Sequence, residues 1–353
     1  MTSQLTGPVL VIGCGLIGTS VALALRQLDI EVHLDDARPA NVEVAVSLGA
    51  GSAEPPTDPQ LVIVAVPPAA AGETVVNALH AWPQAVVTDV ASVKVAPLAV
   101  VRSSADAARY VGSHPMAGSE RSGPMAASGR LFEGRAWAVT AHETSSPAAI
   151  GLIRELAQCL GATVVDMEAD THDEAVALVS HLPHLMSVLA AAQLGGAPAG
   201  HLLLAGPGLR DVTRIAGSDT SLWLEILQGN AAEVITLLRA VRDDLDHVIQ
   251  GLDDDQGSLV SVLDRGREGN SMVPGKHGTA PIAMAIAFVQ IPDKPGELSR
   301  LMADTGESGV NIEDIRIDHD LGRPVGLVEV VVEAANAEHL VNALVGRGWS
   351  AYL

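Results

Sequence analysis

With 353 residues, 48% of them hydrophobic, the chain can bury more than one core, and roughly 100 to 200 residues per domain predicts two or three domains. A net charge of −21 and 2% aromatic residues exclude the basic patches and stacking platforms that nucleic acid requires. The acidic surplus reads as a solvated surface, so an anionic substrate needs a local cationic pocket. Apolar runs are short and broken by Gly, Pro or charge, none near the roughly 20 residues that cross a bilayer, so no membrane partner is expected. Residues 1–8 lack the basic segment and long apolar stretch of a secretory signal, which predicts the cytoplasm. Cys14 and Cys159 are the only cysteines, too few for a disulfide framework or a zinc site of ordinary spacing, and no metal is expected.

In chain order, strand-like β-branched runs at 9–12, 31–34, 61–66, 86–90, 110–112 and 136–140 alternate with helical patterns such as 19–28. A helix over 147–160 and a strand over 162–165 complete this part. The alternation predicts α/β architecture, a parallel sheet wrapped by helices. Gly13-Cys14-Gly15-Leu16-Ile17-Gly18 follows the first strand and opens the first helix, the context that a Rossmann-type dinucleotide-binding turn needs. Gly13 allows the tight turn, Gly15 lets backbone approach the pyrophosphate, and Gly18 brings helix close to strand, while the helix start at Leu16 and Ile17 offers N–H groups to phosphate. The second strand ends at Asp35-Asp36, roughly 20 residues beyond the glycines, where a carboxylate can accept the adenine ribose hydroxyls. This favours NAD over NADP; Asp36 is the first choice and Asp35 the second, with Arg38 tempering the charge. Val66-Pro67-Pro68 lies at the carboxyl edge of the sheet, where it either lines the cofactor path or simply ends a strand.

Residues 169–267 read as nearly all helical, with Val234, Leu237, Leu238, Val241, Leu245 and Val248 spaced as one helical face. Residues 268–280, rich in Gly, Pro and small polar residues, read as an exposed linker. The tail then runs strand 287–291, helix 296–307, strand 310–318, strand 325–333, helix 337–346 and strand 349–353, a βαββαβ ferredoxin-like domain. The predicted domains are 1–167, 168–268, a linker over 269–284, and 285–353.

Segments 88–94, 112–120, 180–184 and 210–216 are too polar for packing alone. His114 follows a strand and precedes Pro115, at the carboxyl edge beside the nicotinamide position, where imidazole can accept a hydroxyl proton as hydride leaves the same carbon. Ser92 either orients that imidazole or caps the next helix. Pro183 interrupts a helical run and turns His181 and His184 into a cleft, unless both are simply buried and satisfied. Arg214 offers a planar guanidinium to a substrate carboxylate. Arg210 and Asp211 fit a surface equally well.

Gly-Ser-His-Pro-Met-Ala-Gly-Ser-Glu at 112–120, Ser-His-Leu-Pro-His at 180–184 and Asp-Val-Thr-Arg-Ile-Ala at 211–216 resemble the prephenate dehydrogenases and the closely related arogenate dehydrogenases, from the glycine turn through about Arg267. The resemblance implies oxidative decarboxylation in tyrosine biosynthesis, with His114 taking the ring hydroxyl's proton and hydride passing to NAD. It implies that Ser92 supports His114, that Arg214 grips a substrate carboxylate, and that His184, Asp211 and Glu120 line or gate the pocket, with Ser180 beside them and Trp223 nearby. It also implies a homodimer through the all-α domain and an active site between the first two domains. The tail resembles an ACT domain in Ile291-Pro292-Asp293-Lys294-Pro295-Gly296-Glu297-Leu298 and Gly309-Val310-Asn311-Ile312. That resemblance implies feedback inhibition by tyrosine or another aromatic amino acid, bound near Asp293, Gly296, Asn311 and Ile312; support of packing or dimerisation without ligand is the alternative.

Prephenate and arogenate differ only in a side-chain keto or amino group, and the residues leave that choice open. A β-hydroxyacid dehydrogenase would need a catalytic lysine on the helical domain, yet after Lys94 the chain has lysines only at Lys276 and Lys294. A catalytically silent NAD and amino-acid sensor would need neither His114 nor Arg214.

Overall fold

The first strand, β1 (Val9–Ile12), reads Val-Leu-Val-Ile because a central strand of a parallel sheet is covered on both faces. The computed structural model describes residues 4–118, 122–253, 256–273, 283–319 and 325–353. These fall into two units, Met1–Val241 and Arg242–Leu353.

In the first unit β1 leads into α1 (Leu16–Gln27), β2 (Val32–Asp35), α2 (Pro39–Ser47), β3 (Leu61–Val64), α3 (Pro68–Ala81) and β4 (Val86–Asp89). The strands pair in parallel in the order β2-β1-β3-β4. Period-two alternation sends Val9, Val11, Leu61 and Ile63 into one buried cluster with Val21, Leu25, Ile153 and Leu156. Leu10, Val62 and Val64 point the other way, against Val75, Leu79 and Tyr110. The strand order reverses between β1 and β3, so the crevice for a ligand opens at the carboxyl ends of these strands.

The chain continues through α4 (Val95–Val101), β5 (Gly112–Pro115), β6 (Ala136–Thr140), α5 (Pro147–Cys159) and β7 (Thr163–Asp166). Here the expectation of a wholly parallel sheet is corrected: β5 and β6 are antiparallel, and only β6 and β7 are parallel. Tyr110 bridges Val87 in parallel, and the Val111 N–H donates to Val87 O at 3.1 Å. The residues leading into β5 therefore run alongside β4, and His114 ends up at the same carboxyl edge as the glycine turn.

Helices follow: α6 (Ala169–Val176), a π turn at Ala177–His181, α7 (Leu182–Ala192), α8 (Ala199–Leu202), α9 (Pro207–Thr213), α10 (Thr220–Gly229) and α11 (Ala231–Asp253), the last running into the second unit. Pro183 does not interrupt the run. It removes one hydrogen-bond donor and crowds the carbonyl four residues earlier, and the wider π turn just ahead absorbs both effects. The continuous stretch Ala169–Gly196 is therefore 28 residues long and, by length and composition alone, apolar enough to span a bilayer, which corrects the expectation of short apolar runs only. Its buried His172, Asp173, His181 and His184 face protein partners, whereas Leu178, Val179 and Leu189 are exposed. The α11 face is Val234, buried, with Leu237, Leu238, Val241 and Val248 half-buried, but Leu245 is exposed.

In the second unit α12 (Gln256–Met272) occupies the start of the predicted linker, whose residues 274–282 lie outside those described. Then come β8 (Met284–Pro292), α13 (Glu297–Glu307), β9 (Asp314–His319), β10 (Val325–Glu333), α14 (Ala334–Gly346) and β11 (Ser350–Tyr352), an antiparallel sheet in the order β11-β8-β10-β9. This is the ferredoxin-like arrangement expected of βαββαβ. Alternate residues Val328, Val330 and Val332 of β10 meet Leu301, Leu340, Leu344 and Trp349 in its own core.

Candidate active site

The glycine turn has the geometry its residue types demand. Gly13 holds φ +104°, and a Cβ there would run into the Ala65 carbonyl; at Gly18 it would overlap the Gly13 carbonyl oxygen. Among the described residues, and its chain neighbours aside, no atom lies within 4 Å of a Cβ built on Gly15, which leaves room beside it for a ligand. Gly15 is also the N-cap of α1 and supplies no side-chain cap, which leaves the N–H groups around Leu16, Ile17 and Gly18 available to an anion. The Cys14 N–H donates to Asp36 Oδ2 at 2.7 Å and the Arg38 N–H to Oδ1 at 2.7 Å, with Asn41 Nδ2 at 3.3 Å from both oxygens. Asp36 is thus fixed against the turn, while Asp35 is exposed at the end of β2. Val66 and Pro67 stand between β3 and α3 at the same edge, Val66 half-buried and Pro67 exposed. Burial, reinforced by Asp36 and Asp35, pushes the Cys14 thiol up to about 12, so it stays protonated.

At the neighbouring strand end, half-buried His114 on β5 places Nδ1 2.9 Å from His172 Nε2, and His172 Nδ1 lies 2.7 Å from Asp173 Oδ1. Asp173 in turn accepts from the Lys94 N–H at 2.8 Å and the Val95 N–H at 2.9 Å, holding the start of α4. Burial holds His114 well below the ordinary histidine range, and the neighbouring His172, Lys94 and His181 add to the shift. The imidazole is neutral near pH 7 and able to accept a proton. Ser92 is half-buried between β4 and α4, and the partner of His114 Nδ1 is His172, a residue that the sequence did not point to.

Beneath this edge Lys94 Nζ, fully buried, pairs with Asp89 Oδ1 and donates to Ser113 O at 2.7 Å, while Tyr110 Oη donates to Asp89 Oδ2 at 2.7 Å. Burial pulls the Lys94 ammonium down and Asp89 partly restores it.

On the helical side His184 stacks flat on Trp223, ring centroids 3.5 Å apart, and His181 meets the same indole edge-on at 6.1 Å. His184 is buried and its Nδ1 has no partner among the described residues. Burial lowers His184, and burial foremost lowers His181 to about 4, so both rings are neutral. Asn230 Nδ2 donates to Asp173 O at 2.7 Å and lies 3.3 Å from His181 Nδ1, tying the two histidine groups together. Ser180 is half-buried in the π turn. Asp211 on α9 and Arg214 just after it are exposed, on segments that pack against α7. Glu120 lies outside the described residues. In the second unit Asp293, Gly296 and Asn311 are exposed and Ile312 is half-buried; Gly296, at φ +94°, precedes α13, and Asn311 Nδ2 donates to Glu313 Oε1 at 2.6 Å.

A nucleotide-binding turn and a neutral histidine at one sheet edge, joined through His172 and Asp173 to a helical lobe, define a dinucleotide-dependent dehydrogenase. Residues 21–166 match the family model of the prephenate dehydrogenase nucleotide-binding domain, and residues 168–264 that of its dimerization domain. The chain belongs to the prephenate dehydrogenase family. A Streptomyces niveus protein named "Probable prephenate dehydrogenase NovF" is 35% identical over 355 residues, 97% of this chain and 98% of its own. The Aquifex aeolicus prephenate dehydrogenase, solved with hydroxyphenyl propionate and NAD+, is 25% identical with a TM-score of 0.68, covering 76% of this chain and 99% of that one. Synechocystis arogenate dehydrogenase is 26% identical with a TM-score of 0.61, covering 74% and 98%.

Proposed function

We propose that this chain is an NAD-dependent prephenate dehydrogenase, converting prephenate to 4-hydroxyphenylpyruvate and carbon dioxide in tyrosine biosynthesis. The observation that carries this reading is neutral His114 at the carboxyl edge of the sheet, within a chain whose two family domains both match. Gly13, Gly15, Leu16, Ile17 and Gly18 would hold the pyrophosphate, Asp36 the adenine ribose, and Asp35, Val66 and Pro67 the flanks of the path; a carboxylate at the ribose disfavours a 2′-phosphate. When bound, NAD accepts the hydride from the carbinol carbon of the substrate ring.

His114 takes the proton from the ring hydroxyl as that carbon–hydrogen bond breaks. The ring carboxylate then leaves as carbon dioxide, its bonding pair entering the ring to complete the aromatic system, and the phenolic oxygen regains a proton. Arg214 grips a substrate carboxylate, while His184, Ser180, Trp223 and Asp211 line the pocket, and Ser92 supports His114. Because aromatisation supplies the driving force, these residues need only position the substrate and deprotonate one hydroxyl.

The domains proposed are 1–167 for nucleotide, 168–268 for substrate and dimerisation, a linker at 269–284, and 285–353 for regulation. The exposed Leu203, Leu204, Leu222 and Leu224 supply apolar area for a homodimer, and the cytoplasm is its compartment. The ferredoxin-like domain is read as an ACT-like sensor through which tyrosine or another aromatic amino acid inhibits, near Asp293, Gly296, Asn311 and Ile312.

The test is NADH absorbance with purified chain, NAD or NADP, and prephenate or arogenate. Prephenate with NAD should turn over fastest, and His114→Asn should lose at least about 100-fold in kcat while still binding NAD. Turnover of arogenate alone would move the substrate assignment, and wild-type-like turnover by the variant would overturn the role of His114.

A further inference from the structure

We infer that His172 and Asp173 are positioning residues that decide which nitrogen of His114 carries its proton. The inference rests on the reading of His114 as the hydroxyl base, and asks what makes one of its nitrogens available for that work. A carboxylate can only accept hydrogen bonds. Asp173 Oδ1 lies 2.7 Å from His172 Nδ1, so Nδ1 is the protonated nitrogen of His172. In neutral His172 the lone pair then sits on Nε2, 2.9 Å from His114 Nδ1, which must donate to it. The remaining nitrogen, His114 Nε2, is left with a lone pair. With the opposite tautomer of His114, two lone pairs would face each other across 2.9 Å.

The chain of bonds is well anchored. His172 and Asp173 are 1% and 2% exposed, so water does not compete for these atoms. The Lys94 and Val95 N–H groups hold both carboxylate oxygens at the start of α4, and Asn230 donates to the Asp173 carbonyl. His114 stands on β5, whereas the pair that orients it stands on α6, so the helical segment sets the protonation pattern of a base carried by the sheet. When His114 gains a proton, its Nδ1–H bond toward the carboxylate-backed His172 strengthens, which favours the transfer. The same logic operates where a buried carboxylate fixes the tautomer of a catalytic histidine in serine proteases.

The experiment is long-range proton–nitrogen NMR on the full chain labelled with 15N-histidine, using His114→Asn to assign the signals, together with steady-state kinetics. Wild type should show His114 protonated on Nδ1 and bare on Nε2 at neutral pH. Asp173→Asn turns the acceptor into a group that can donate to His172, reversing the chain; His114 should then carry its proton on Nε2, with kcat down about 100-fold or more and both KM values within threefold. Because Asp173 also holds α4, His172→Leu is the second variant: it leaves that contact intact and should lose kcat similarly. His172→Gln, whose Oε1 can accept from His114, should recover at least tenfold over His172→Leu. A wild-type His114 protonated on Nε2, or His172→Leu retaining kcat within threefold, would overturn the inference. Failure of the parent reading looks different: wild type would turn over neither prephenate nor arogenate, whereas the tautomer is measured on the resting protein.

Discussion

Gly13, Gly15 and Gly18 share a letter but answer to different constraints, and substitution separates them. Gly18→Ala forces a methyl against the Gly13 carbonyl and should destabilise by about 1–3 kcal/mol in urea unfolding, as overpacking does. Gly15→Ala meets no atom of the described residues beyond its chain neighbours, so stability should hold while the KM for NAD rises about tenfold or more; an unchanged KM would mean that the pyrophosphate does not approach Gly15. The tight turn at Gly13 and the close helix packing at Gly18 were legible in the sequence because turn, helix start and spacing are local. The relay behind His114 was not. His172 lies 58 residues from His114, and a Thr-His-Asp-Glu run at a helix start reads as ordinary solvated polarity until the fold buries its middle. Ser92 was singled out because it follows the end of the strand before β5 and because the family resemblance gives it that role, signals that His172 does not carry.

Between elements, the decisive group is Lys94, which the sequence marked only as one of several polar residues after β4. The buried ammonium joins the end of β4 through Asp89, the start of α4 through its own backbone, and β5 through Ser113 O. Removing one partner of a buried pair leaves the other charge uncompensated, so Lys94→Ala should cost about 3–5 kcal/mol. Lys94→Met with Asp89→Asn should cost less than the sum of the two single changes, because the orphaned charge is gone. Additive losses in urea unfolding would mean that the pair is not coupled. The helical order beyond residue 168 was legible from periodicity, and so was the ferredoxin-like tail. What periodicity misread were long-range choices: the antiparallel turn of β5 against β6, set by pairing far along the chain, and the passage through Pro183, absorbed by a π turn that has no pattern of its own.

For the whole molecule, the question is whether the terminal domain governs the enzyme that precedes it. The two family models end at residue 264, and the Aquifex aeolicus structure covers 76% of this chain at 99% of its own length, whereas the Streptomyces niveus relative matches 97% of this chain. The core of the terminal domain is self-contained: Val289, Leu301, Val330, Leu340 and Trp349 bury one another within residues 285–353. A domain that spends its own core on folding leaves Asp293 exposed three residues before the left-handed Gly296 and Asn311 exposed on its surface, polar groups that an amino acid's charged ends could meet. Tyrosine should therefore inhibit the wild type, and Asp293→Ala should raise the inhibitory concentration at least tenfold with kcat unchanged. A chain ending at Thr279 should remain active and lose the response. Unchanged sensitivity in the shortened, active chain would place the effector in the catalytic domain instead. Linkage makes the measurement reciprocal, since an effector that weakens substrate binding must itself bind less tightly when substrate is present, by the same factor.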